Sequence, residues 1–125
     1  YPVAVITGGE SKSIVNRILN LKVPMENIYQ KARNKVDCLN DFCQRYGITP
    51  ENVAYIGDDL PDIGAMKICG LAVAPADAVR QVKDVSDYVS MYNGGKMVIR
   101  DLVEQVLTVQ ALCWITRAVV ILFLQ

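Results

Sequence analysis

The sequence predicts an α/β domain in three layers, a parallel sheet with amphipathic helices on both faces. Three observations lead there. Short, continuously apolar runs recur along the chain, at residues 3–7 (VAVIT), 53–56 (VAYI) and 71–74 (LAVA). Stretches with helical periodicity separate them. Each run ends abruptly in glycine, proline or aspartate. The 125 residues are 52% apolar, enough for one compact domain with one core.

The elements follow in order. Residues 3–7 form a strand that meets Gly8-Gly9. A helix spans about 11–21, with Ser11 as N-cap and Ile14, Val15, Ile18 and Leu19 on one face. NIYQ (27–30) is a short strand. Asn34 caps the next helix, whose stripe is Val36, Leu39, Cys43 and Tyr46 and whose stop is Gly47. Residues 48–52 turn into the strand 53–56. Pro61 suits the first turn of a helix reaching about residue 69, with Gly70 as its stop. LAVA is the next strand, 76–85 a short helix and DYVS (87–90) a short strand. After the turn Asn93-Gly94-Gly95, residues 97–110 read as an amphipathic helix.

Composition removes several function classes. Lys+Arg and Asp+Glu are 13 each, so the chain lacks the basic footprint of a nucleic-acid binder and any polybasic run for an anionic membrane. There is no histidine, and Cys38, Cys43, Cys69 and Cys113 form no Cys-x-x-Cys pair. Zinc and histidine-dependent triads are therefore not expected. Scattered cysteines read as reduced thiols of a cytoplasmic protein, used as small hydrophobes. The closing AVVILFLQ is far shorter than the roughly 20 residues of a membrane span. The chain opens at Tyr1 directly on a strand-like run, and we expect further sequence upstream.

In a parallel α/β sheet ligands gather at the carboxyl ends of the strands. Asp58, Asp59 and Asp62 crowd such an end in YIGDDLPDIGAM. Hard oxygen donors in this pattern suit Mg²⁺, which takes one or two carboxylates with waters and phosphate oxygens. The alternative is helix capping, for which one aspartate suffices. Thr7-Gly8-Gly9 offers a hydroxyl and backbone N–H groups, as a phosphate cradle or as a plain tight turn. Lys35 opens a helix, where the dipole disfavours a cation, so it is aimed at a phosphate or at a carboxylate, or is simply a surface lysine. Taken together, a hydroxyl, a lysine and an acidic cluster at one sheet edge make a phosphoryl-transfer site.

VAVITGG, the NK before an amphipathic helix, and VAYIGDDLPD resemble the second, third and fourth motifs of the haloacid dehalogenase-like phosphatases. ENVAYIGDDLPD, GLAVAPADA, DYVS and NGGKMVIRDLVEQVL narrow the resemblance to the 3-deoxy-D-manno-octulosonate 8-phosphate phosphatases and the related domain of some acylneuraminate cytidylyltransferases. It covers about residues 2–110 and implies a capless, Rossmann-like fold. It also implies roles. Thr7, with the Gly8 and Gly9 backbone, binds the transferring phosphoryl group, and Lys35 neutralises it. Asp58 ligates Mg²⁺, directly or with Asp59 through water, and Asp62 orients Lys35 or the metal waters. Gly94, Gly95, Lys96 and Arg100 match a segment near the substrate entrance. Family members of this type are usually homo-tetramers acting on a phosphorylated sugar acid.

One departure is large. The family's nucleophile is the first aspartate of an Asp-x-Asp ending the first strand, upstream of the threonine. Only Tyr1, Pro2, Val3, Ala4, Val5 and Ile6 precede Thr7, and no Asp-x-Asp occurs elsewhere. Loss of a nucleophile costs many orders of magnitude in rate. We therefore expect an incomplete domain over residues 1–114, inactive by itself, followed by an atypical apolar tail, 115–125. Residues 119–124 are either a strand filling the slot of the missing one or a disordered or out-of-frame end. The second reading of function is a non-catalytic oligomerisation domain, as in the cytidylyltransferase fusions. A phosphorylated signalling receiver fits less well, because there the acidic pair comes first and the lysine last.

Overall fold

The computed structural model describes residues 2–8, 24–91 and 118–121. Its strands are β1 (Val3–Ile6), β2 (Ile28–Tyr29), β3 (Val53–Ile56), β4 (Leu71–Ala74), β5 (Tyr88–Val89) and β6 (Ala118–Ile121). Its α-helices are α1 (Lys35–Tyr46), α2 (Ile63–Ile68) and α3 (Arg80–Val85), with single 3₁₀ turns at Met25–Asn27, Pro50–Asn52 and Leu60–Asp62. The six strands form one sheet in the order β2-β1-β6-β3-β4-β5. Every pairing is parallel.

The expected α/β architecture is present. The strands are apolar on both sides because both faces are withdrawn from water. On one face Ala4, Ile6, Val53, Tyr55, Ala72 and Ala74 pack with Leu39, Phe42 and Cys43 of α1, Ala65 and Met66 of α2 and Val82 of α3. On the other, Val5, Ala54, Ile56 and Val73 are equally buried. Fully burying a side chain such as Leu39 or Phe42 contributes about 2 kcal/mol each. The three helices lie side by side, α1 against α2 and α2 against α3.

α1 shows why the local reading works. The Asn34 side chain accepts a hydrogen bond from the Asp37 amide at 3.2 Å. Asp37 lies in the first turn and Arg45 in the last, matching the helix dipole. Gly47 ends the helix at φ +65°, a left-handed conformation that glycine adopts without a Cβ penalty.

Two expected helices are shorter than read. The segment 61–69 is a 3₁₀ turn followed by α2, because Asp59 and Asp62 cap each other's backbone in a capping box before the α-helix begins. The segment 76–85 is helical only over Arg80–Val85. Ala78 donates to the Pro75 carbonyl at 3.1 Å in a tight turn, and the Val79 amide donates to the Asp58 carbonyl at 3.1 Å. Those amides serve the turn and the neighbouring strand end instead of a helix.

The tail does supply a strand. Ala118–Ile121 runs between β1 and β3, with Ile121 opposite both Val5 and Ile56. The helices expected at 11–21 and 97–110 lie outside the described residues, as do residues 122–124.

Candidate active site

The carboxyl ends of β1 and β3 carry the two halves of the site. β6 lies between them, so they stand about 10 Å apart, twice the spacing of neighbouring strands. Thr7 follows β1 and is 3% exposed. Its amide donates to the Tyr29 carbonyl at 2.8 Å, and its carbonyl accepts from the Ala32 amide at 2.9 Å. The loop leading to Lys35 is thereby tied to the threonine. Among the described residues, a Cβ on Gly8 would meet only the Ala32 carbonyl oxygen, at 3.9 Å, and Gly8 is exposed. Gly9, Gly94, Gly95, Lys96 and Arg100 lie outside the described residues.

Gly57 follows β3, and any Cβ there would collide with Met66 Sδ at 2.6 Å and Asp62 Cβ at 2.7 Å. The missing side chain lets Asp62 fold back under the strand end. Asp62 is wholly buried. Its Oδ1 accepts from Lys35 Nζ at 2.8 Å and from the Tyr55 hydroxyl at 3.1 Å. Its Oδ2 accepts from the amides of Asp58 at 3.1 Å and Asp59 at 3.2 Å. Four donors use the four lone-pair directions of the carboxylate. Of the two roles the resemblance implies for Asp62, orienting Lys35 or the metal waters, this geometry fits the first, because its oxygens are already engaged by protein donors.

Asp59 is exposed and caps the following turn, its Oδ1 accepting from the Leu60 amide at 2.7 Å. Asp58 is half-buried. Burial first, then the negative charges of Asp62 and Asp59, push its carboxyl up to about 6, against the lowering influence of Lys35. A hydrogen bond with the Asp62 side chain adds to the rise, and a cation beside Asp58 would favour its charged form against these effects, so this residue fits a divalent metal site. Among the described residues no three carboxylate or cysteine side chains converge as a complete metal cage. Asp58 is thus the described carboxylate best placed to take part in such a site, as one wall of it.

Two features escaped the sequence reading. The sequence places Tyr55 simply in an apolar strand, although a buried tyrosine signals a hydrogen-bond partner for its hydroxyl. The Val79–Asp58 backbone bond, which fixes the Asp58 peptide, has no local signal.

Comparison with known proteins bears on the family and the fold. Residues 10–99 match the family model described as haloacid dehalogenase-like hydrolase. The 3-deoxy-D-manno-octulosonate 8-phosphate phosphatase of Escherichia coli K12 is 38% identical over 108 residues, 86% of this chain and 56% of that protein. The Moraxella catarrhalis enzyme of the same name, solved in complex with a magnesium ion, a phosphate ion and a KDO molecule, superposes with a TM-score of 0.80 at 32% identity, over 86% of this chain and 61% of that one. A cobalt-bound Haemophilus influenzae relative gives 0.77 at 31%, over 86% and 62%. The chain spans just over half the length of the curated relatives it matches. With most of its length inside the family model and the parallel sheet in place, the chain belongs to the haloacid dehalogenase-like hydrolases.

Proposed function

We propose that the parent protein is a Mg²⁺-dependent phosphatase hydrolysing 3-deoxy-D-manno-octulosonate 8-phosphate through an aspartyl-phosphate, and that these 125 residues alone do not turn over. The observation that carries the reading is the Lys35–Asp62 pair, held at 2.8 Å beneath the Asp58 strand end and joined by its loop to Thr7. Lys35 neutralises the phosphate, and Thr7 with Gly8 and Gly9 holds its oxygens. Asp58 holds the metal, with Asp59 reaching it through water. Mg²⁺ supplies charge neutralisation at the phosphoryl oxygens. The sugar acid is assigned from the names of the relatives at 38% identity. Gly94, Gly95, Lys96 and Arg100 are assigned to its binding, the homo-tetramer to the intact protein, and the cytoplasm to its location.

The proposed inactivity of this chain is supported by its central strand. Where a nucleophile strand belongs, β6 presents Ala118, Val119, Val120 and Ile121, and the chain has no Asp-x-Asp. Purified chain assayed with Mg²⁺ on p-nitrophenyl phosphate and on the sugar-acid phosphate should give no turnover. It should still bind inorganic phosphate in a Mg²⁺-dependent way that Lys35→Ala abolishes. Robust turnover would contradict the missing nucleophile, and phosphate binding indifferent to Lys35 would remove the site.

The same apolar strand favours a second reading, a non-catalytic oligomerisation domain. Analytical ultracentrifugation separates the two: a stable tetramer without phosphate binding supports the scaffold.

A further inference from the structure

We infer that Tyr55 is a positioning residue for Lys35, acting through Asp62. Tyr55 sits in the middle of β3 with no exposed surface, among Val53, Ala72 and Met66. Burial, with the negative charge of Asp62, holds its hydroxyl far above the ordinary tyrosine range, so it remains a donor. That hydroxyl donates to the Asp62 oxygen that also receives Lys35, at 3.1 and 2.8 Å. The two strand-end amides grip the other oxygen.

The arrangement has a mechanical consequence. Two amides on Oδ2 alone would let the carboxylate pivot about that oxygen. The tyrosine pins Oδ1 from inside the core, so the remaining lone pair of Oδ1 faces one direction, and Lys35 occupies it. Lys35 is a flexible four-carbon chain, and its ammonium is useful at a phosphate only if its place is set in advance. A phenylalanine would fill the same core volume. The hydroxyl therefore serves the site, since the only bond it makes among the described residues is to the lysine's own partner.

The inference rests on Lys35 being the phosphate-facing cation, but its primary test needs no phosphate. In the full chain labelled with ¹⁵N-lysine, the Lys35 ammonium should give a protected, slowly exchanging NMR signal. Tyr55→Phe should speed that exchange about tenfold, as expected for an anchor to a charged group lost. It should also weaken inorganic phosphate binding with Mg²⁺ by a similar factor. Tyr46→Phe is the control. It gives up the hydrogen bond from Asn27 Nδ2 at 2.8 Å, far from Asp62, and should leave both readings unchanged. Unchanged Lys35 exchange in folded Tyr55→Phe would overturn the inference, as would an equal effect of Tyr46→Phe. Loss of phosphate binding alone, with Lys35 exchange unmoved, would likewise count against it. If Tyr55→Phe does not fold, the Tyr55 hydroxyl proton of the unaltered chain should be protected and show a cross-peak to the Lys35 ammonium. Its absence would dismiss the idea without touching the phosphatase reading.

Discussion

Asp62 ties together residues from a helix, a strand and a turn. It is buried, charged and bonded to four donors drawn from Lys35, Tyr55 and two amides. Removing one partner of a buried ion pair leaves an uncompensated charge, so Asp62→Asn should destabilise the fold by about 3 kcal/mol in urea unfolding. The neighbouring Gly57→Ala places a methyl within 2.7 Å of Asp62 Cβ and Met66 Sδ. It should cost about 1–3 kcal/mol by overpacking and displace the Lys35 ammonium signal. The sequence made this turn legible through three carboxylates in five positions. It did not distinguish the carboxylate that orients from the one that faces a cation. That depends on which donors reach Oδ1 and Oδ2, and one of the four, Lys35, comes from 27 positions away on another helix.

At the scale of elements, the strands and α1 were readable because their signals are local: apolar runs, an Asn cap, a glycine stop. Asn34→Ala removes the side-chain acceptor of the Asp37 amide and should lower stability by about 1 kcal/mol, measured by thermal unfolding. The loop between β2 and α1 carries a cost of its own. Lys31 adopts φ +52°, a left-handed conformation disfavoured by about 1–2 kcal/mol in residues with a Cβ. Helix lengths at 61–69 and 76–85 were overread for one reason. Turn and cap hydrogen bonds to Pro75, Asp58 and Asp59 compete for amides that periodicity alone assigns to helix.

For the whole molecule, the decisive feature is the central place of β6. Each of its neighbours, β1 and β3, pairs with it along several residues. A proline there removes a ladder amide from a strand bonded on both sides. Val120→Pro should cost about 3 kcal/mol or more, lowering the urea midpoint sharply. Alkaline pH tests the core through its thiols and phenols. Burial pushes Cys69 from 9.0 up to about 12, and burial with Asp41 pushes Tyr29 from 10.0 up to about 12, against Arg45. Both groups hold their protons more tightly when folded. Their stabilising contribution is thus complete below about pH 9 and is lost as pH rises toward 12. The melting temperature should fall across that window, and Cys69→Ala should make the fall shallower.

By itself the sequence determined the alternation of strand and helix, the parallel α/β class, and the collection of Thr7, Lys35 and Asp58 at strand and helix ends. All three follow from patterns within a few residues. Only the tertiary structure decided that an apolar strand near the end of the chain stands between the threonine and the aspartate, and that Asp62 spends both its oxygens on holding Lys35 and the strand end in place. Parallel pairing joins residues more than a hundred positions apart, such as Val5 and Ile121, and leaves no mark in local composition. A carboxylate's role is set by the donors that surround it, and folding brings those donors together.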